Sequence, residues 1–187
     1  MIFSSESENE TFLFACELAK KAEAGNVICL DGDLGAGKTV FASGFASGLG
    51  IKEPVCSPTF TILQVYEEGR LPLYHFDVYR IEDPDEMYEI GFDDYIFGNG
   101  VCLIEWGCLI HEILPENTLY ITLNRDPDKG FDHRDIIVEP DPAEGFSFEA
   151  LPGTEAGERT FAAEGTGYTG TDDNNVFYGK SRREDHI

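Results

Sequence analysis

Val27-Ile28-Cys29-Leu30, followed after Asp31 by Gly32-Asp33-Leu34-Gly35-Ala36-Gly37-Lys38-Thr39, is the stretch whose reading decides the fold. Four consecutive apolar residues mark a short strand covered on both faces. The eight residues from Gly32 fit G-x-x-x-x-G-K-[ST]. Thr39 to Leu49 then places Phe41, Phe45 and Leu49 one helical turn apart, with Gly50 set to stop the helix. In a strand, glycine loop, helix sequence the motif has a mechanism. Glycines let the backbone wrap with its amides inward, and the helix amino terminus adds partial positive charge, so the loop cradles a β-phosphate. Lys38 is placed to bridge β- and γ-phosphates and the Thr39 hydroxyl to ligate Mg²⁺.

Working outward, Ser7-Glu8-Asn9-Glu10 reads as a capping box in which Glu10 reaches back to the cap. The helix after it carries Phe14, Leu18 and Ala22 at helical spacing and ends at Gly25-Asn26. Beyond the loop helix, Thr61 to Tyr66 and Leu71 to Asp77 are β-prone runs joined by Glu67-Glu68-Gly69-Arg70, a hairpin signal that makes part of the sheet antiparallel. Asp83-Pro84-Asp85-Glu86 opens a short helix closed by Gly91. Val101 to Ile104 repeats the buried-strand pattern, and Thr118 to Leu123 with Arg134 to Glu139 reads as a terminal strand pair. The order predicts an α/β, P-loop NTPase fold with a central mixed β-sheet flanked by helices.

The whole chain has 187 residues, 36 Asp+Glu against 13 Lys+Arg, a formal charge of −23 and 42% hydrophobic residues. That is the make-up of one globular domain with a tail. The expected division is a nucleotide-binding body over 1–140 and an acidic extension over 141–187, rich in Gly, Thr, Glu and Asp and read as unfolded or loosely attached. Five cysteines without a C-x-x-C pair, no basic amino-terminal flank and no apolar run of membrane length point to a cytoplasmic protein with no membrane span. The charge repels phosphate backbones, which argues against direct DNA binding and leaves any nucleic acid to a partner. His75, His111, His133 and His186 do not fall at zinc spacing with the cysteines, and no G-x-S-x-G elbow is present.

Hydrolysis needs more than a phosphate cradle. Asp77 ends the run Leu73 to Asp77 and is expected to face the metal from the strand neighbouring the loop strand. Glu105 ends the run from Val101 and is placed to orient water or ligate the metal. Pro58 restricts Ser57 to extended backbone, so Ser57-Pro58-Thr59-Phe60 sets two hydroxyls beside the site, with Thr59 as the γ-phosphate sensor candidate. Trp106 reads as a packing residue.

Gly32 to Thr39, Ser57-Pro58-Thr59-Phe60, His75-Phe76-Asp77-Val78-Tyr79-Arg80 and Glu105-Trp106-Gly107, in this order, make a combination that resembles the TsaE (YjeE) family over roughly Ser4 to Pro140. The resemblance implies an ATPase component of bacterial tRNA threonylcarbamoyladenosine synthesis. Such a protein binds ATP and Mg²⁺, docks on a TsaD-TsaB heterodimer, meets tRNA through those partners and hydrolyses ATP slowly when alone. It implies nucleotide contacts from Asp33, Leu34, Gly35, Ala36, Gly37, Lys38, Thr39 and Val40. Thr39, Asp77 and Glu105 would stand around the metal, and Lys38, Asp77 and Glu105 would carry the catalysis. Thr59 would lie in a mobile loop, and the segment around Glu10 and Thr11 near the adenine. Two other readings share the loop. A small-molecule or nucleotide kinase would normally add arginines over the transferred phosphate, and a nucleotide-dependent binding module would treat hydrolysis as incidental. A GTPase would need an N-K-x-D segment, which Asn124-Arg125-Asp126-Pro127-Asp128 is not.

Overall fold

The computed structural model describes residues 1–140, so the expected extension over 141–187 lies outside the described residues. In chain order the elements are β1 (Ile2–Ser5), α1 (Glu8–Lys21), β2 (Val27–Asp31), α2 (Lys38–Leu49), β3 (Leu63–Tyr66), β4 (Leu73–Asp77), α3 (Glu86–Glu89), α4 (Phe92–Ile96), β5 (Val101–Glu105), a 3₁₀ segment (Gly107–Ile113), β6 (Leu119–Arg125) and β7 (Arg134–Glu139). The strands form one mixed sheet in the order β1-β7-β6-β2-β5-β4-β3. Neighbours among β4, β5, β2 and β6 run parallel, while β3, β7 and β1 are added antiparallel at the two sides. The α/β fold with a mixed sheet is therefore as the sequence predicts.

Strand alternation sorts the core into two layers. Ile28, Leu30, Leu73, Val101 and Leu103 pack with α1 and α2 on one face, where Phe14, Phe41 and Phe45 are buried. Val27, Phe76, Cys102 and Ile104 point the other way, against Met87, Phe92 and Ile96. The α1–α2 contact is close enough to require glycine. A Cβ on Gly44 would lie 2.3 Å from the Phe12 carbonyl oxygen, and one on Gly48 2.2 Å from that of Cys16. The pairing brings the amino end of α2, and so the glycine loop, over the carboxyl ends of the parallel strands.

Several local expectations are corrected. Ser7 caps α1 by accepting the Glu10 amide at 3.2 Å, but the Glu10 carboxylate takes the Glu6 amide at 2.9 Å, one residue before the cap. The helix stops at Lys21, and Gly25 turns at φ 82° in the loop beyond it. Glu86 accepts the amides of Glu82 and Asp83 ahead of the one-turn α3, as a capping residue does. Gly91, at φ 73°, both ends that turn and starts α4, a helix the sequence did not disclose. Asp77 is not on the strand neighbouring β2. β5 intervenes, so Glu105 stands next to the loop strand and Asp77 one strand further out. Among the described residues no helix is long and apolar enough to cross a membrane.

Candidate functional site

Parallel register decides which polar ends meet. Asp77 pairs with Glu105 across β4 and β5, and Glu105 pairs with Leu30 across β5 and β2. All three end at the rim where the chain leaves β2 into the glycine loop. Their side chains rise on the face covered by α2, because paired residues in a sheet share a side. The result is a cleft of about 370 Å³, lined by Leu34, Gly35, Gly37, Lys38, Thr39, Val40, Ser57, Thr59, Asp77, Tyr79, Glu105 and Trp106. That volume falls within the roughly 300–1,000 Å³ of small-molecule sites.

The loop is built to present amides. Gly35 and Gly37 adopt φ of 77° and 105°, a region costly for residues with a Cβ. Gly37 starts α2 with no side chain to cap it, and no acid occupies the first turn. The contrast is α1, whose start is closed by Ser7 and carries Glu8 and Glu10. An uncapped amino end facing a cleft is a ready anion site. Lys38 is buried, and its ammonium donates to the carbonyls of Gly32 at 2.6 Å and Asp33 at 3.1 Å. It also stands 4.0 Å from the centroid of Trp106, a cation–π contact. Burial pushes its pKa below the ordinary lysine value, against the opposing pull of Glu105, Asp77, Asp31 and Asp33.

The two carboxylates are held by different donors. Asp77 Oδ2 accepts the hydroxyls of Ser57 at 2.7 Å and Thr59 at 2.5 Å, and Oδ1 accepts the Tyr79 amide at 3.1 Å. The Ser57–Thr59 segment is thus tied directly to Asp77. Beyond that segment Ile62 sits at φ 64°, a strained position for a β-branched residue. Glu105 Oε1 is bonded instead to His75 Nε2 at 2.9 Å, with both side chains buried. Trp106 follows at φ 63° and its ring is tilted against that of Tyr79, centroids 5.1 Å apart.

Of the residues singled out in the sequence, Leu34, Gly35, Gly37, Lys38, Thr39, Val40, Thr59, Asp77 and Glu105 line this cleft. Asp33 and Ala36 contribute backbone instead: Asp33 gives a carbonyl to Lys38, and the Ala36 carbonyl is turned away to Arg134. Thr11 lines a separate small pocket on the other flank of the loop, with Gly35, Gly37, Val40, Asp132 and Arg134. Its hydroxyl is shared with Ser5 at 2.8 Å. Two residues were missed. Arg134, buried at the start of β7, clamps the loop through its Nε bond to Ala36, and no local pattern marks it. His75 was assigned no role, although its position two residues before Asp77 on one strand puts both on the same face. Trp106, read as packing, also covers the Lys38 ammonium.

A family model described as "Threonylcarbamoyl adenosine biosynthesis protein TsaE" matches residues 5–136. The tRNA threonylcarbamoyladenosine biosynthesis protein TsaE of Bacillus subtilis (strain 168) is 53% identical over 127 residues, covering 68% of this chain and 77% of that protein. The protein of the same name from Treponema pallidum (strain Nichols) is 46% identical over 119 residues, 64% of this chain and 87% of its own. Among solved structures, the crystal structure of Bacillus subtilis YdiB superposes with a TM-score of 0.62 at 45% identity, covering 73% of this chain and 82% of that one. The family match spans the glycine loop, both carboxylate-bearing strand ends and the clamp from β7, and the chain belongs to the TsaE family.

Proposed function

We propose that the chain binds ATP with Mg²⁺ and hydrolyses it as the nucleotide-dependent component of tRNA N6-threonylcarbamoyladenosine synthesis, in the cytoplasm and beside a TsaD-TsaB heterodimer. Residues 1–140 form the ATPase domain in this reading. The relatives' names supply the pathway, and the observation that carries the chemistry is the convergence of Lys38, Asp77 and Glu105 on one cleft at an uncapped helix start. The charge of −23 supports leaving the tRNA to partners.

The triphosphate lies along the loop, where amides of Gly35 to Val40 and the α2 terminus meet its oxygens. Lys38 exchanges its two carbonyl bonds for phosphate oxygens, and burial makes that exchange favourable because the ammonium is poorly solvated where it stands. The oxygen donors present fit magnesium. Thr39, Asp77 and Glu105 offer one hydroxyl and two carboxylates, and among the described residues no cluster of three or more His, Cys, Asp or Glu forms a metal cage. Mg²⁺ is commonly held by one or two carboxylates together with phosphates and water. When bound, it neutralises charge on the phosphates. Asp77, fixed by Ser57, Thr59 and the Tyr79 amide, holds the metal side of the cleft. Glu105 orients the attacking water toward the γ-phosphorus and accepts its hydrogen bond. Thr59 and Ser57 couple the loop to the occupancy of Asp77.

Steady-state ATP hydrolysis with and without TsaB and TsaD homologues from the same cell tests the reading. Lys38→Ala should abolish nucleotide binding. Glu105→Ala should bind ATP yet lose about 10²- to 10⁴-fold in turnover, the range for a general base. Wild-type turnover by Glu105→Ala in the full assembly would remove Glu105 from the mechanism, whereas intact tRNA modification by Glu105→Ala with none by Lys38→Ala would mark a nucleotide-dependent binding module.

A further inference from the structure

We propose that His75 is a positioning residue for hydrolysis, acting through Glu105: its imidazole fixes one carboxylate oxygen so that the other is the one presented to the cleft. The inference rests on the proposed ATPase reading and adds to it a residue that touches neither nucleotide nor metal.

The geometry is specific. His75 and Asp77 lie two residues apart on one face of β4, and the register sets Asp77, not His75, opposite Glu105. Glu105 nevertheless turns back along the sheet to meet the imidazole, Oε1 to Nε2 at 2.9 Å. A carboxylate only accepts, so Nε2 is the donating nitrogen. Asp77 takes no part in this bond, its own oxygens being satisfied by Ser57, Thr59 and the Tyr79 amide. Two like charges at adjacent strand ends are therefore held by independent sets of donors. Glu105 lines the cleft whereas His75 is fully buried beneath it, so Oε2 is the oxygen left for the reacting side.

Stability alone is a poor reason for this imidazole. Its Nδ1 is buried and has no hydrogen-bond partner among the described residues. Burying a polar atom without a partner is costly, and an apolar side chain of similar size would avoid that cost. The half-satisfied ring makes physical sense if the bond from Nε2 is the feature in use. A free Glu has three rotatable torsions, and a carboxylate must be held close to its productive geometry to orient water.

The experiment compares His75→Leu with His75→Gln, whose amide nitrogen stands near the position of Nε2. ATP turnover is measured beside nucleotide affinity, the latter read from the fluorescence of Trp106 during ADP titration, since it is the single Trp of the chain. His75→Leu should lose roughly 10- to 100-fold in turnover, the factor of an ordinary charge-assisted hydrogen bond, with ADP affinity changed less than about threefold. His75→Gln should recover most of the loss. In a Glu105→Ala background His75→Leu should subtract nothing further, because its route is already gone. Equal loss in the Leu and Gln variants, wild-type turnover in His75→Leu, or an undiminished effect without Glu105 would each overturn the proposal. If the Leu variant does not fold, His75→Asn, whose shorter amide cannot reach Oε1, replaces it in the same comparison. A wild-type protein that bound no nucleotide would instead refute the ATPase reading, and the wild-type titration shows that before any variant is made.

Discussion

Arg134 offers a direct test of how the glycine loop is held. Its side chain is only 7% exposed, and it donates from Nε to the Ala36 carbonyl at 2.7 Å. From Nη1 it donates to the carbonyls of Phe131 at 2.8 Å and His133 at 2.7 Å. Replacing it with Met keeps most of the stem's volume and removes every donor. The bonds to Ala36 and His133 are made in buried surroundings. Leaving those two carbonyls unpaired costs about 1–3 kcal/mol each, a total near 2–6 kcal/mol. For a chain of this size that corresponds to a fall of roughly 4–24 °C in melting temperature. Arg134→Lys keeps the charge but lacks the planar fork that serves carbonyls on two sides, so it should recover less than half of the loss. Thermal unfolding followed by circular dichroism gives the first number. An ADP titration read from Trp106 should show weakened binding in both variants, since the Ala36 carbonyl is part of the loop's frame. If Arg134→Met melts within about 2 °C of the wild type and binds ADP equally well, the buried guanidinium is not a clamp.

Gly107→Ala places a Cβ 2.2 Å from Cys29 Sγ and 3.2 Å from its Cβ, where the start of the 3₁₀ segment packs on β2, and should cost about 1–3 kcal/mol in urea unfolding. An unchanged midpoint would mean that the 3₁₀ segment sits more loosely on β2 than the structure shows. His133 has its pKa raised above the ordinary histidine value, first by its bond to Glu6 and then by Asp135. Its contribution to stability is therefore complete below the unfolded value of about 6.5 and is lost as pH rises through the folded one. Asp135 is depressed to about 2, first by Lys129 and then by Ser4, so its contribution holds above the ordinary carboxylate range and is lost as pH falls through about 2. Unfolding free energy measured across pH should decline on both sides, and His133→Gln should flatten the alkaline decline, with a smaller change on the acid side because His133 also helps to depress Asp135. Parallel wild-type and variant curves above pH 6.5 would contradict the assignment.

Most of the fold was legible because its elements announce themselves locally. Val27 to Leu30 and Val101 to Ile104 are buried strands with no polar interruption, and Phe41, Phe45 and Leu49 repeat at the helical period. What escaped depended on partners distant in sequence. β1 is four residues, Ile-Phe-Ser-Ser, with no strong pattern, and it is a strand because Ile2 to Ser5 pair with Arg134 to Ile137. α4 and the 3₁₀ segment are too short for periodicity to reveal. Glu10 could be recognised as a capping acid, yet which amide it takes depends on the path of the chain before Ser7.

The site divides along the same line, and the division shows what a strand-end acid can and cannot disclose. That Asp77 and Glu105 terminate apolar runs is local information, and it suffices to place both at a carboxyl rim once the strands are known to be parallel. Which stands nearer the loop is set by strand order, and that order is a property of the whole sheet. Reading Asp77 as the neighbour of the loop strand gave it the inner position, whereas β5 takes that place and brings Glu105 beside Leu30. The exchange changes the chemistry expected of each. The inner carboxylate, on the strand beside β2, is bonded to His75. The outer one is held by Ser57 and Thr59, hydroxyls of a segment that the chain must carry across from the end of α2. A residue's type and its place at a strand end thus name the candidates, while the topology divides the labour between the acid fixed to the sheet and the acid fixed to the loop.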